Sequence, residues 1–270
     1  MPSLNSISVE KLWRLVGRPD CPILIDVRTD EDFSADPRLI PGAQRRSHLN
    51  VAAWACEFDG ESTIIYCQKG LKLSQGVAAW LRHSGAESEA LEGGYNEWLA
   101  AKLPLVPLAK FQNGDGHSLW VTRSRPKVDR IACPWLIRRF VDPSAVFLFV
   151  NPSDVEGVAD RFGTTAFDVE GVYWSHRGDL CTFDVMVEEF GLSFNALNRL
   201  ARIVRGADTA RMDLEPEAAG LLALSLGLSR MHSDDLRQLE AGMLLYDAMF
   251  RWCRDASEET HNWPSAKGAK

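Results

Sequence analysis

The sequence lacks the features that assign a chain to several common classes. Its six cysteines are spread from Cys21 to Cys253 with no Cys-x-x-Cys pair, so we expect reduced thiols and not a disulfide framework. No segment approaches the run of about 18 apolar residues that a membrane helix needs. The first residues lack the charged segment and apolar run of a secretory signal. We therefore predict a cytoplasmic protein that does not enter the membrane.

An excess of positive charge is also missing, because 37 Asp and Glu residues outnumber 30 Lys and Arg residues. The net charge of −7 disfavours non-specific attraction to phosphate backbones, so nucleic acid is not an expected partner. Apolar residues make up 46% and charged residues 25%, which is typical of a folded globular protein and argues against disorder. A length of 270 residues favours two domains.

The first half of the chain alternates strand and helix signals. Apolar, β-branched runs predict buried strands at 22–27 and Ser62–Tyr66. Helical patterns begin at Ser8, near 49–57 and at 74–83. Alternation of this kind predicts an α/β domain with a parallel sheet, which we assign to residues 1–105.

The pattern of the sequence changes after residue 105. The stretch 102–119 contains two prolines and two glycines with little periodicity, which predicts a linker at 106–118. Strands are predicted at Val146–Val150 and 172–175, and helices at 194–205, 217–226 and 234–253. We predict a mainly α-helical (α+β) second domain at 119–255 and a polar tail at 256–270.

One cysteine lies where a parallel sheet binds its ligands. Cys67 directly follows the strand predicted at Ser62–Tyr66 and precedes a loop that opens a helix. Loop amides and the positive end of a helix lower the pKa of a thiol, and they stabilise a thiolate, a persulfide or a bound oxyanion. Gly70 allows the loop to turn, and Lys69 and Lys72 add positive charge. A buried structural cysteine is the alternative, and the spacing alone does not decide between the two.

Four motifs follow one another in the first domain: Asp26-Val27-Arg28, Ile40-Pro41-Gly42-Ala43, Tyr66-Cys67-Gln68-Lys69-Gly70 and Glu92-Gly93-Gly94-Tyr95-Asn96-Glu97-Trp98. Together they resemble the ordered landmarks of the rhodanese (sulfurtransferase) family over residues 8–105. The resemblance implies an α/β domain that needs no cofactor and carries sulfur as a persulfide on its loop cysteine. It implies Cys67 as the nucleophile and the loop after it as a cradle for the anion, formed by Gln68, Lys69, Gly70, Leu71 and Lys72.

The Cys67 loop departs from the family pattern by one residue. Usual sulfurtransferases have a serine six positions after the cysteine, whereas Leu73 holds that place here and Ser74 follows. Rhodanese-fold phosphatases and arsenate reductases also have a longer loop, but with an arginine that clamps the oxyanion. Leu73 cannot make this contact, which argues against phosphatase chemistry. Thiosulfate sulfurtransferase activity, weak activity, and a sensing or binding role all stay open.

The second domain begins with the most basic stretch of the chain and continues into a segment rich in metal-ligand residues. In one hypothesis, Arg123, Arg130 and His176 bind a chromate-like dianion, because guanidinium groups suit tetrahedral oxyanions. In a second, zinc or iron is bound by a set of four residues, namely His176, Cys181, Asp184 and Cys133. In a third, the arginines pair with nearby aspartates and His176 is structural. The spacing His-x4-Cys is not a recognised zinc pattern, so the sequence leaves these hypotheses open.

Four segments of the second domain carry a further resemblance: 120–140, 174–184, Arg205-Gly206-Ala207-Asp208 and 246–254. They resemble the C-terminal domain of the ChrB chromate-resistance family over about residues 119–255. The resemblance implies a role in chromate resistance, either in sensing the oxyanion or in supporting its reduction. Regulatory members of that family have a different N-terminal domain, so DNA binding is not expected here.

Three functions follow from these patterns. The leading hypothesis is a rhodanese-type sulfurtransferase linked to chromate resistance, with thiosulfate or a related small molecule as sulfur donor. The second is a non-catalytic chromate or oxyanion sensor or regulator that uses the arginines and histidine of the second domain. The third is a metal-dependent redox function in that domain. The sequence does not predict the oligomeric state.

Overall fold

The apolar runs of the first half form one parallel sheet. The computed structural model describes residues 5–108 and 117–259. Strands of the first half are Ser6–Ile7 (β1), Ile23–Asp26 (β2), Arg38–Leu39 (β3), Ala43–Arg45 (β4), Ser62–Tyr66 (β5), Glu87–Leu91 (β6) and Val106–Pro107 (β7). The main sheet has the order β1-β6-β5-β2-β4, and every pair in it is parallel. The predicted α/β domain is confirmed.

Helices pack against this sheet at the places where the sequence alternates. They are Val9–Leu15 (α1), Asp30–Ala35 (α2), Val51–Trp54 (α3), Lys72–His83 (α4) and Gly94–Ala100 (α5). Ser8 caps α1, because its hydroxyl accepts a hydrogen bond from the Lys11 amide at 3.3 Å. The helix predicted near 49–57 is α3 flanked by short 3₁₀ turns at His48–Asn50 and Ala55–Phe58. Helix α4 begins two residues earlier than the sequence predicts.

The range predicted as a linker, 106–118, begins with an ordered strand. β7 pairs antiparallel with β3, and Leu39 lies opposite Val106. Both of these side chains are buried, so the pairing fixes the end of the first domain to its core. Residues 109–116 of the predicted linker, and 260–270 of the predicted tail, lie outside the described residues.

The second half contains a small parallel sheet and a larger set of helices. Its strands are Leu119–Arg123 (β8), Val146–Val150 (β9) and Thr165–Ala166 (β10), in the order β10-β8-β9. Its α-helices are Asp129–Leu136 (α6), Val155–Phe162 (α7), Thr182–Glu189 (α8), Asn195–Asp208 (α9), Ala218–Met231 (α10) and Asp235–Arg251 (α11). Short π-helical segments, Ile137–Val141 and Trp252–Ala256, continue α6 and α11. The predicted α+β character is confirmed.

The strand predicted at 172–175 is wrong. Trp174 makes an isolated bridge to Phe167, and its ring stacks on Phe190 with the centroids 4.8 Å apart. Trp174 therefore packs into the core without pairing in a sheet, whereas its neighbour Tyr173 is exposed. Strand β8 was not predicted from the sequence, because Arg123 and the basic residues after it were interpreted as a basic segment.

The two domains share one continuous core. The Trp13 ring lies 5.0 Å from the Phe194 ring across the boundary, measured between centroids. Gly17, at φ +79°, lies under Phe140, where a Cβ atom would stand 2.2 Å from the end of the phenyl ring. The Gly42 amide also donates to the Phe140 carbonyl at 2.6 Å. Across 5–108 and 117–259, no helix has both the length and the apolar character needed to cross a bilayer.

Candidate functional site

Cys67 lies at the carboxyl end of the central strand β5, directly before the loop that opens α4. Its Sγ is 3.3 Å from the Ser74 hydroxyl, and its side chain is buried. Burial alone raises the pKa of the thiol, but hydrogen bonds from the Ser74 hydroxyl and from the amides of Ser74, Lys69 and Leu71 outweigh it. The pKa of Cys67 therefore lies below the ordinary value of a thiol. The arrangement can hold a thiolate and the negative charge of groups attached to it.

The Gly93–Gly94 turn packs closely against the backbone of the Cys67 loop. The Tyr95 amide donates to the Cys67 carbonyl at 3.0 Å. Gly94 has φ +59°, and a Cβ atom there would stand 2.2 Å from the same carbonyl oxygen. Gly70 has φ +65°, and its Cβ would stand 2.4 Å from the Leu91 carbonyl. Side chains at these two glycines would push the loop and the turn apart, so the close contact needs glycine.

Exposed side chains surround the loop. Lys69, Leu71 and Lys72 are exposed, and the two lysines give this surface a positive charge. Gln68 instead donates through Nε2 to Asn96 Oδ1 at 2.6 Å, which fixes it against the start of α5. The loop amides help to lower the pKa of Cys67, and the lysine side chains are placed to attract an anion.

A buried ion pair lies under the turn that carries Tyr95. Arg28 Nε donates to Asp26 Oδ2 at 2.8 Å, and both side chains are fully buried. The guanidinium also donates to the Asp36 carbonyl at 3.1 Å and lies 3.9 Å from the centroid of the Tyr95 ring. These contacts fix the elements around the Cys67 loop, so the Asp26-Val27-Arg28 motif is structural.

In the second domain, three aspartates surround one histidine. His176 Nε2 lies 3.6 Å from Asp129 Oδ2, 3.5 Å from Asp168 Oδ1 and 3.3 Å from Asp208 Oδ2. Asp129 is the first residue of α6, Asp208 is the last residue of α9, and the other two residues lie in the connection between β10 and α8. Three separate parts of the chain thus place these four side chains together.

The carboxylates of this cluster differ in their hydrogen bonds. Asp129 is fully buried, and burial followed by repulsion from Asp208 and Asp168 raises its pKa well above the ordinary value. Burial and repulsion from Asp168 also raise the pKa of Asp208. Burial acts on Asp168 in the same direction, but bonds from His176 and Thr182 outweigh it and lower the pKa. The bond to Asp168 raises the pKa of His176 to about 9.

Comparison with protein families assigns both halves of the chain. Residues 8–101 match the rhodanese-like domain, and residues 120–253 match the domain described as ChrB, C-terminal domain. The chain is a member of the rhodanese family that carries a ChrB C-terminal domain. Both resemblances predicted from the motifs are confirmed.

Three similar proteins illustrate this division. The chain is 33% identical to protein ChrB of Cupriavidus metallidurans over 168 residues, which cover 62% of this chain and 49% of that protein. It is 33% identical to thiosulfate sulfurtransferase GlpE of Pseudoalteromonas translucida over 102 residues, 37% of this chain and 92% of GlpE. The human single-domain sulfurtransferase TSTD1 is 25% identical, with 36% of this chain and 97% of that chain covered and a TM-score of 0.30. This chain thus spans about half the length of its ChrB relative.

The residues predicted to bind an oxyanion in the ChrB domain do come together, but around a carboxylate. Arg123 Nη2 lies 3.2 Å and Arg130 Nε 3.3 Å from Asp168 Oδ2, and His176 contacts the other oxygen of the same group. Arg130 Nη1 also donates to the Ser124 carbonyl at 3.0 Å. A dianion here would meet Asp168 and the neighbouring carboxylates. The geometry thus favours the reading in which the arginines pair with aspartates.

Of the residues predicted to bind metal, the structure places His176 in a cluster of candidate ligands. Cys181, Asp184 and Cys133 lie outside that cluster. The Cys181 amide donates to Asp184 Oδ2 at 3.1 Å, and this contact caps α8. Cys133 is fully buried, and burial raises the pKa of its thiol well above the ordinary value. Among the described residues, the candidate ligand atoms that lie close together are those of Asp129, His176 and Asp208, and the predicted set stays a prediction.

Sequence reasoning missed the aspartates of this group as ligands. Asp129 and Asp208 lie in segments that resemble the ChrB family, 120–140 and Arg205-Gly206-Ala207-Asp208, but neither was predicted as a ligand. Asp168 belongs to no motif that the sequence analysis used. A buried acidic residue at the start of an otherwise apolar helix, as at Asp129, is the signal that could have revealed the cluster.

Proposed function

We propose that this chain is a rhodanese-type sulfurtransferase that carries sulfur as a persulfide on Cys67. The observation that carries the proposal is the set of hydrogen bonds from the Ser74 hydroxyl and from the loop amides to a buried sulfur. These donors favour an ionised nucleophile and can stabilise the terminal charge of a persulfide. Membership of the rhodanese family and the match to a thiosulfate sulfurtransferase over 92% of its length support the same chemistry.

Thiosulfate is the sulfur donor that we propose. The Cys67 thiolate attacks its outer sulfur, the sulfur–sulfur bond breaks, and sulfite leaves with the bonding electron pair. Cys67 then carries a persulfide anion, which the loop amides stabilise. A thiolate or cyanide acceptor attacks the terminal sulfur and restores the Cys67 thiolate. No redox cofactor enters either step, and the exposed Lys69 and Lys72 attract the anionic donor.

We further propose that this activity serves chromate resistance in the cytoplasm. The ChrB domain at 120–253 supports the link to chromate, and its direct packing against the rhodanese domain supports a shared role. The six cysteines are all free, which suits a reducing compartment.

Replacement of the nucleophile tests the proposal. Cys67→Ser should lower the rate of thiocyanate formation from thiosulfate and cyanide by at least about 10³-fold, because the covalent route is lost. Intact mass spectrometry of the wild type after thiosulfate treatment should show the added mass of one sulfur atom, and the variant should not. Cys56→Ser is the matched control, because Cys56 is an exposed free cysteine of the same domain. Equal activity in Cys67→Ser and the wild type would refute the assignment.

A further inference from the structure

The aspartate and histidine cluster of the ChrB domain has the dimensions of a metal site. Oxygens of Asp129 and Asp208 and a nitrogen of His176 all lie within 4.8 Å of one another. The histidine nitrogen is 3.6 Å and 3.3 Å from the two oxygens. Ligands about 2.1 Å from one ion are about 3.0 Å apart in octahedral geometry and about 3.4 Å apart in tetrahedral geometry. The two nitrogen–oxygen distances are therefore within a few tenths of an ångström of those values, and the two carboxylate oxygens, which lie within 4.8 Å of each other, would close on a common ion by side-chain rotation.

A second observation supports a cation at this cluster, namely a buried carboxylate oxygen of Asp129. Asp129 is fully buried, and in 5–108 and 117–259 its Oδ1 atom makes no hydrogen bond of normal geometry, although the Cys181 thiol, a weak donor, favours the charged form of this carboxylate. Its other oxygen accepts from the Phe183 amide at 3.3 Å. A buried carboxylate oxygen with no partner costs folding free energy, so proteins rarely retain one without a reason. A cation bound between Asp129 and Asp208 would supply the partner and remove their repulsion.

Asp168 is compensated in a different way from the other two carboxylates. Arg123 and Arg130 both pair with its Oδ2, and Thr182 donates to its Oδ1 at 2.9 Å. Asp168 Oδ1 lies 3.5 Å from the same His176 Nε2 atom that would bind the metal ion, so metal binding would replace this ion pair and displace the proton of His176. The negative charge then left for the metal ion is that of Asp129 and Asp208.

An ion can reach this cluster from solvent. The His176 side chain is 41% exposed and borders an open cleft of about 520 Å³. Asp208 is partly exposed at the end of α9, while Asp129 closes the inner side of the site. Three protein ligands would leave coordination positions for water or for a substrate, as in catalytic metal sites.

We propose that Asp129, His176 and Asp208 bind one divalent transition metal ion, Mn²⁺ or Fe²⁺. Carboxylates suit Mg²⁺, Ca²⁺ and Mn²⁺, and imidazole suits the later first-row metals, so a mixed set of two oxygens and one nitrogen favours manganese or iron. The absence of cysteine from the set disfavours a structural zinc site. This proposal is independent of the sulfur chemistry at Cys67.

Manganese titration of the whole chain tests the site. After treatment with a chelator and dialysis, the protein should bind about one Mn²⁺ ion per chain. Binding is measured as the loss of the electron paramagnetic resonance signal of free Mn²⁺. Asp129→Asn and Asp208→Asn should each weaken binding at least about tenfold, because each removes a charged ligand. Asp179→Asn is the matched control, because it removes an exposed carboxylate near His176 that lies outside the cluster.

Thermal unfolding separates a lost ligand from a lost fold. Mn²⁺ should raise the melting temperature of the wild type and of Asp179→Asn, but not that of Asp208→Asn. Without metal, Asp129→Asn should melt no lower than the wild type, because a neutral amide replaces a buried carboxylate without a full set of donors. Absence of Mn²⁺ binding to the wild type, or unchanged binding in both cluster variants, would overturn the proposal. If Asp129→Asn does not fold, the partly exposed Asp208→Asn decides the question.

Discussion

The Cys67 loop and the Asp129 cluster bury acidic groups in opposite surroundings. Around Cys67, a hydroxyl and backbone amides donate hydrogen bonds, and the pKa falls although the sulfur is buried. Around Asp129, burial raises the pKa, and the facing carboxylates of Asp208 and Asp168 raise it further. Burial raises the pKa in both places, and the neighbouring donors and acceptors decide whether that effect is reversed. The Cys67 loop therefore favours an anion, and the Asp129 cluster favours a cation.

The buried thiols of the two domains extend this comparison. Cys133 and Cys181 are buried like Cys67, but burial and nearby carboxylates raise the pKa of both thiols well above the ordinary value. In the folded protein, iodoacetamide at neutral pH should therefore modify Cys67 at least about 10³-fold faster than these two. Their modification requires an opening of the domain that costs about 4 kcal/mol or more. Peptide mass spectrometry at several reaction times measures the rates.

Two controls make the thiol experiment decisive. The exposed Cys56 reports the activity of the reagent. In unfolded protein, all the cysteines should be modified at similar rates. Modification of Cys133 as fast as Cys67 in the folded state would break the comparison, because it would show that donors around the sulfur make no difference.

A substitution in the Gly93–Gly94 turn should disturb the Cys67 loop without touching the thiol. Alanine at Gly94 would have φ +59° and a Cβ atom 2.2 Å from the Cys67 carbonyl oxygen. Gly94→Ala should therefore lower the free energy of unfolding by about 2–4 kcal/mol and reduce sulfur transfer at least about tenfold. Urea unfolding and the thiocyanate assay measure the two effects.

Gly76→Ala is the matched glycine control. Gly76 lies within α4, and a Cβ atom there would meet nothing within 4 Å. Alanine at this position should raise the free energy of unfolding by about 0.5–1 kcal/mol, because it favours the helix. If both substitutions had the same effect, close packing of the turn on the loop would not be the cause.

The sequence predicted the first site better than the second for a physical reason. The Cys67 cradle consists of consecutive residues between a strand and a helix, so its geometry follows from local structure. The Asp129 cluster joins four residues from three separate parts of the chain, including Asp168, which no motif contains. Its members come together only through tertiary packing, which leaves no spacing pattern in the sequence.

The smallest effect is expected from loss of one hydroxyl beside the sulfur. Ser74→Ala removes the hydroxyl that lies 3.3 Å from the Cys67 sulfur and that also donates to the Leu71 carbonyl at 3.2 Å. Loss of its hydrogen bond to the thiolate, worth about 1–2 kcal/mol, should raise the pKa of Cys67. Below that pKa the thiolate fraction, and with it the alkylation rate, should fall about tenfold relative to the wild type. At higher pH both thiols are ionised, so the two rates should converge.

Ser88→Ala tests whether the effect belongs to the contact or to the loss of any buried hydroxyl. The Ser88 hydroxyl is buried in β6 of the same domain and has no hydrogen-bond partner among the described residues. Its removal should leave the pH dependence of alkylation at Cys67 unchanged. A parallel shift of the whole profile in both serine variants would instead indicate a general loosening of the domain. A shift confined to Ser74→Ala and to low pH would show that a single donor, placed against a buried sulfur, sets the charge on which the proposed chemistry depends.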